Sequence, residues 1–225
     1  MIMSLALNPA RRLLVPEATR ASDVYERLRE AIVTGQIRPN EPLIEADLAA
    51  ELAVSRTPVR ESLQRLFADG LIVARKRGWA VRAYGIDEIR ENYELRAGLE
   101  GYAARLAAER ASDGELTKIV AVHEKRLQLD QPTQEVRVKS NRQFHDLILA
   151  AAKNKRLADA VYRAGQFYFN LRVAGLTTED EMRAANADHG RIAAALLARD
   201  GAAAEQATRQ HIMHAFEIMY RVGEL

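Results

Sequence analysis

The sequence predicts a mostly α fold in two parts: a small N-terminal unit of helices closed by a β-hairpin, then a bundle that is helical throughout. Three observations predict it. Apolar residues recur at helical spacing over almost the whole chain. Two adjacent β-prone runs, Leu71-Ile72-Val73-Ala74 and Trp79-Ala80-Val81-Arg82, flank Arg75-Lys76-Arg77-Gly78, a basic hairpin tip. Beyond Tyr84-Gly85 alanine becomes abundant and β-prone runs all but vanish.

The elements follow in order. Residues 1–20 read as a flexible arm: Met1 to Pro9 is apolar, but it lacks the basic stretch of a signal peptide. Ser22 is placed to cap a helix over 22–34, with Val24, Leu28, Ala31 and Ile32 on one face. Gly35 ends it, and the prolines at 39 and 42 make the following segment a turn. Leu48 and Leu52 mark a short second helix ending near Ala53. Ser55 is a natural cap for a third, which tolerates Pro58 near its start and runs to about Asp69. That third helix is expected to bury Val59, Leu63, Leu66 and Phe67. Arg56, Thr57, Arg60, Gln64 and Arg65 fall on its polar side.

Helix, helix, tight turn, helix, hairpin is the order of a winged helix-turn-helix, here over residues 21–84. Polar side chains at the start of such a third helix reach base edges in the major groove, arginine being suited to guanine O6 and N7. The charge distribution agrees. The formal net charge is only +2, yet residues 55–82 hold seven basic and two acidic residues, while 85–225 hold 20 basic and 21 acidic. A local basic patch is the footprint of a polyanion-binding element.

Residues 85–225 are expected to form the helical bundle. Ile89, Tyr93, Leu95, Leu99, Tyr102 and Leu106 outline its first helix, and further helices cover about 113–128, 134–152, 155–175, 179–199 and 202–221. The last, with Ile212, Phe216 and Met219, is apolar enough to pack fully or to join a dimer surface. The chain has no cysteine, which excludes disulfides and thiolate chemistry and allows a cytoplasmic location. No apolar run approaches the ~20 residues of a membrane span.

All five histidines lie in the bundle. Asn141 and His145 are four apart, one turn along the same helical face. His189 and His211 each stand 11 residues from Asp200, where two helices fold back on each other, so both are expected at one height. Three imidazoles and an oxygen converging between helices make a site for Zn²⁺, Ni²⁺ or Mn²⁺. His123 and His214 have no such partners and read as surface or outer-shell residues.

The run Val54-Ser55-Arg56-Thr57-Pro58-Val59-Arg60-Glu61-Ser62-Leu63, with Leu66, Asp69-Gly70-Leu71-Ile72, Arg77-Gly78 and Val81, resembles the winged helix motif of the GntR family of regulators. Leu95-Arg96 with Leu99-Glu100, Asn141-x-x-Phe144-His145, Asn154, His189 and His211 resemble the FCD ligand-binding domain of its FadR-like subfamily. The resemblance implies a dimeric transcriptional regulator, a repressor by preference, bound to a palindromic double-stranded operator through Ser55, Arg56, Thr57 and Arg60, with Arg77 and Gly78 at the wing. Ala46 stands where some relatives carry an arginine, which removes one DNA contact. The resemblance also implies a divalent metal, zinc before nickel or manganese, on Asn141, His145, His189 and His211. It implies a small carboxylate or sugar-acid effector as well, with Arg96 and Arg172 as its guanidinium partners. Asn141 departs from the family's usual aspartate and leaves the site one unit more positive.

Two further readings compete with a ligand-responsive regulator. One is a constitutive regulator with a purely structural metal. The other is a metal-dependent hydrolase, which would need a general base beside the histidines, and no HExxH motif supplies one.

Overall fold

The computed structural model describes residues 21–164 and 171–223, which form two compact units meeting in sequence at Ala83 and Tyr84. The expected N-terminal arm lies outside the described residues.

The first unit contains α1 (Ala21–Val33), β1 (Pro42–Leu43), α2 (Glu45–Glu51), α3 (Arg56–Ala68), β2 (Ile72–Arg75) and β3 (Gly78–Val81). Its core is the fully buried set Val24, Leu28, Ile37, Leu43, Leu52, Val59, Leu63 and Leu66. Ser22 does not cap α1. It lies inside the helix, because helical geometry already holds at Ala21, and its hydroxyl turns to Asp23.

The tight turn between α2 and α3 is closed without glycine. Ala53 adopts φ 52°, while its own N–H and that of Val54 return to the carbonyls of Ala50 and Ala49. Left-handed backbone costs an alanine about 1 kcal/mol, which this pair of bonds offsets. The turn delivers the chain to Ser55, whose extended backbone starts α3 but whose hydroxyl makes no capping bond.

Phe67, expected in the core, is 49% exposed. Val59, Ser62, Leu63 and Leu66 complete the buried stripe, and the Ser62 hydroxyl satisfies itself on the Pro58 carbonyl at 2.7 Å. Phe67 therefore falls off the stripe and packs its ring on Trp79 of the hairpin, 5.2 Å between centroids. The sheet has three antiparallel strands in the order β1-β3-β2. β1 was expected as turn, since a two-residue strand starting at a proline leaves no periodic signal. Only Lys76 and Arg77 form the hairpin loop. Gly78 opens β3 at φ +91°, where a Cβ would also stand 3.1 Å from the Leu43 carbonyl of β1.

The second unit contains α4 (Ile86–Arg110), α5 (Asp113–Leu127), α6 (Gln134–Ala151), α7 (Lys155–Ala164), α8 (Leu171–Leu176), α9 (Glu179–Leu197) and α10 (Gly201–Gly223). The single helix expected over 155–175 is described as α7 and α8; residues 165–170 lie outside the described residues. Capping boxes of Ser112 with Glu115 and Thr178 with Glu181 start α5 and α9. α10 runs against both α4 and α9, and α5 packs on α6 and α9. Alanines 103, 104, 107 and 108 of α4 are fully buried, and at Gly101 a Cβ would sit 2.6 Å from Arg209 Cγ, so small residues let α10 approach closely.

The apolar residues expected to face inward from α4 divide. Tyr93 and Leu106 are buried, but Leu95 and Tyr102 are about half exposed. Arg96 and Glu100 take the buried positions instead. No helix among the described residues is long and apolar enough to cross a membrane.

Candidate functional site

The α9–α10 turn places the histidines. Arg199, at φ 54°, anchors it by donating to the carbonyls of Ala108 and Ala111 and to Asp113. His189 and His211, equidistant from the turn, then meet with their Nε2 atoms 3.2 Å apart. His145 Nε2 reaches the same His211 Nε2, also at 3.2 Å. All three residues are buried, and their ligand atoms lie within 4.8 Å of one another. Phe144 backs the cluster, stacked on the His189 ring at 4.3 Å.

Each of the three rings has a different partner on Nδ1. Glu100 Oε2 lies 3.1 Å from that of His145. Asp188 Oδ2 lies 3.5 Å from that of His211, long for a hydrogen bond, and 2.9 Å from His214 Nδ1. Both carboxylates favour the proton on Nδ1, so His145 and His211 direct Nε2 lone pairs at each other. That is the arrangement of donors around a cation. Two nitrogens bound to one zinc at ~2.0–2.1 Å and near the tetrahedral angle stand ~3.3 Å apart. The donor set therefore fits a divalent metal. The third Nδ1, that of His189, faces Arg126 Nη1 at 3.2 Å, and the same guanidinium nitrogen donates to Asn141 Oδ1 at 3.2 Å.

The cluster opens on a cavity of about 460 Å³ within the second unit, a volume suited to a small organic ligand. Arg96, Arg126, Arg137, Asn141, His145 and His211 are among its lining residues. Arg96 stands over the Tyr93 ring and donates from Nε to Glu100 Oε1 at 2.9 Å. Arg96 and Glu100, one turn apart on α4, thus form a buried ion pair. Arg172 lies in α8, and its side chain is outside the described residues.

On the first unit, Ser55, Arg56, Thr57 and Arg60 are all exposed along the start of α3, and Arg77 and Gly78 are exposed at the hairpin. Glu45, in the first turn of α2, accepts from Arg60 Nη2 at 3.0 Å and from Arg56 Nη2 at 3.5 Å. Its hydrogen bonds to Arg60 hold its carboxyl below the usual carboxylate range. Ala46 is exposed beside it.

Residues 20–81 match the family of bacterial regulatory proteins called gntR, and residues 91–214, more than half of the chain, match the FCD domain. The chain belongs to the GntR family. This GntR protein is a DNA-binding transcriptional regulator carrying an FCD domain, not an enzyme. It is 28% identical over 204 residues to the HTH-type transcriptional regulator YdhC of Bacillus subtilis, covering 89% of this chain and 91% of that one. The HTH-type transcriptional repressor RspR of Escherichia coli is 26% identical over 203 residues, covering 89% of each. Among solved structures, E. coli McbR/YncC has the same fold, with a TM-score of 0.79 at 24% identity over 91% of this chain and 98% of that one.

Several residues of the GntR regulator's two sites were not singled out from sequence. Asp188 and Arg126 touch the clustered histidines, as does Glu100, named above only as a family mark, and Glu45 touches the α3 arginines from α2. None of these contacts has a local signal, because each partner comes from another element. Arg137 did have one: it precedes Asn141 and His145 at four-residue spacing on α6. His123, read as surface or outer-shell, is buried with its ring edge toward His189.

Two outcomes are expected. Glu45→Gln frees Arg56 and Arg60 and should raise affinity for arbitrary duplex DNA by roughly threefold at low salt, with a steeper salt dependence, measured by fluorescence anisotropy. In the metal-free protein, burial pushes His189 well below the usual histidine range and His211 down to about 4. The unfolded chain then takes up protons below pH 6.5 that the folded chain refuses. Stability is complete above 6.5 and is lost as pH falls toward 4. Glu100, which burial alone would raise, is held at about 2 by Arg96 and His145, and its contribution is lost only below pH 4.5. Calorimetry of chelated protein should show a loss of about 2–3 kcal/mol between pH 7 and 4.5 from His211 alone.

Proposed function

We propose that this GntR regulator is a ligand-responsive repressor. It acts in the cytoplasm as a homodimer on a palindromic operator, and its FCD domain binds a divalent metal and a small carboxylate or sugar acid. The observation that carries the reading is the convergence of three histidine Nε2 atoms at the wall of a cavity lined by arginines.

His145, His189 and His211 would hold the metal, zinc before nickel or manganese, with Asn141 as the oxygen ligand. The ion supplies a Lewis-acidic anchor for an effector oxygen. Arg96 lines the same cavity and is proposed as a guanidinium partner of the effector, with Arg172 beside it. On DNA, Ser55, Arg56, Thr57 and Arg60 would read the major groove, and Arg77 at the Gly78 turn would meet phosphates or the minor groove. Two identical heads related by a two-fold axis call for a palindrome. The effector changes DNA affinity only by its unequal affinity for the two arrangements of those heads. A repressor is favoured because RspR and the E. coli protein GlaR are both named as transcriptional repressors.

A thermal-shift screen of small carboxylates and sugar acids, with and without a chelator, tests this. An acid-dependent rise in Tm that disappears on chelation supports the reading. A rise with metal alone, and none with any acid, would instead mean a structural metal in a constitutive regulator.

A further inference from the structure

Among the described residues four arginines line the cavity, and they are not equivalent. Arg96 is paired with Glu100. Arg221 is paired with Glu181 at 2.9 and 2.8 Å and also donates to the Leu176 carbonyl. Arg126 and Arg137 have no carboxylate within ion-pair distance among the described residues. Arg126 meets only the neutral acceptors Asn141 Oδ1 and His189 Nδ1. Arg137 touches the Met182 sulfur, and its buried Nε has no hydrogen-bond partner. The cavity's other carboxylates do not serve them. Glu181 is taken by Arg221 and the Thr178 cap, Asp188 by His211, His214 and Arg191, and Glu217 is exposed, with no ion pair among the described residues.

Two partly buried guanidiniums on one cavity wall without a counter-charge repel one another. The register shows where this charge lies. Arg137, Asn141 and His145 follow at four-residue intervals on α6, so Arg137 stands two turns, ~12 Å along the axis, from His145. If His189 held a metal through Nε2, its Nδ1 would carry the proton and could not accept from Arg126, leaving that guanidinium to another acceptor.

We infer that the effector is a dianion, one acid group directed to the histidine cluster and a second anionic group, carboxylate or phosphate, held by Arg126 and Arg137. This rests on the metal-and-acid reading above and adds the second charge and the length. Arginine forks match carboxylate and phosphate oxygens alike, so the shared chemistry is a tetrahedral or planar oxyanion at the far end of a chain of several atoms.

The test is calorimetric titration of zinc-loaded full-length protein with hexanoate and adipate, and with gluconate, glucarate and phosphogluconate. Wild type should bind at least one dianion about 10- to 100-fold more tightly than its monoanionic match. Glucarate above phosphogluconate would identify a carboxylate, and the reverse a phosphate. Arg137→Gln should bring the preference down to within about threefold, with zinc content and monoanion affinity unchanged, and Arg137→Lys should restore part of it. Monoanions bound as tightly as dianions, or Arg137→Gln weakening both equally, would overturn the inference while leaving the metal-and-acid reading intact. If no acid of either series binds, both fall.

Discussion

Arg56→Ala combined with Arg60→Ala is expected to weaken operator binding by at least about 30-fold, since a well-placed arginine contact to a base contributes ~1–3 kcal/mol. Both side chains are exposed on the first turns of α3, and the buried stripe of Val59, Ser62, Leu63 and Leu66 fixes which way that face points. Folding should be unaffected, because among the described residues the only polar partner of either arginine is the partly exposed Glu45. The control is instructive. With both arginines gone there is nothing for Glu45→Gln to free, so adding it to the double variant should give less than the roughly threefold gain of the single variant. Anisotropy on specific and scrambled duplexes separates the two effects: the arginine losses should be much larger on the specific duplex than on the scrambled one, and the gain of the single Glu45→Gln variant equal on both. An unchanged specific affinity in the double variant would remove α3 as the reading helix.

His189→Ala should have the second large effect. The imidazole is fully buried, stacked on Phe144, and supplies one of three converging nitrogens. Its loss should reduce zinc retained after dialysis from about one per chain to near none, because two histidines and an amide oxygen leave the coordination set incomplete. Removing the ring also leaves a void and strips Arg126 of one of its two acceptors. An apparent stability loss of about 3–5 kcal/mol is expected in zinc-containing buffer. In chelator the loss should shrink to the packing term alone. Equal destabilisation with and without chelator would mean that the histidine is a core residue and nothing more.

Much of this was legible in the chain. The β-hairpin, the tight α2–α3 turn and the basic stretch all carry local signals, so the order of elements in the first unit follows from adjacent residues. The level placement of His189 and His211 was legible for a geometric reason, since equal distances from one turn in an antiparallel hairpin fix equal height. What stayed hidden depends on packing between elements. Phe67 and Leu95 look like core residues by hydropathy, yet the stripes that pack are completed by Ser62 in α3 and by Arg96 and Glu100 in α4. A buried ion pair is invisible to hydrophobic periodicity, because its burial depends on the His145 imidazole on α6. The same holds for Arg126, whose importance appears only once α5 lies beside α6 and α9.

The GntR identity and the fold explain how one chain joins a basic reading head to a cavity with a built-in donor cluster. The central claim is that the second controls the first. Its most direct test is the affinity of zinc-loaded protein for a selected operator duplex, measured with and without glucarate or the acid giving the largest thermal shift, in wild type and in His189→Ala. The account predicts that the acid weakens wild-type binding by about 5- to 150-fold and leaves the variant unchanged. An operator affinity that ignores every bound acid, or shifts equally in the variant, would contradict it.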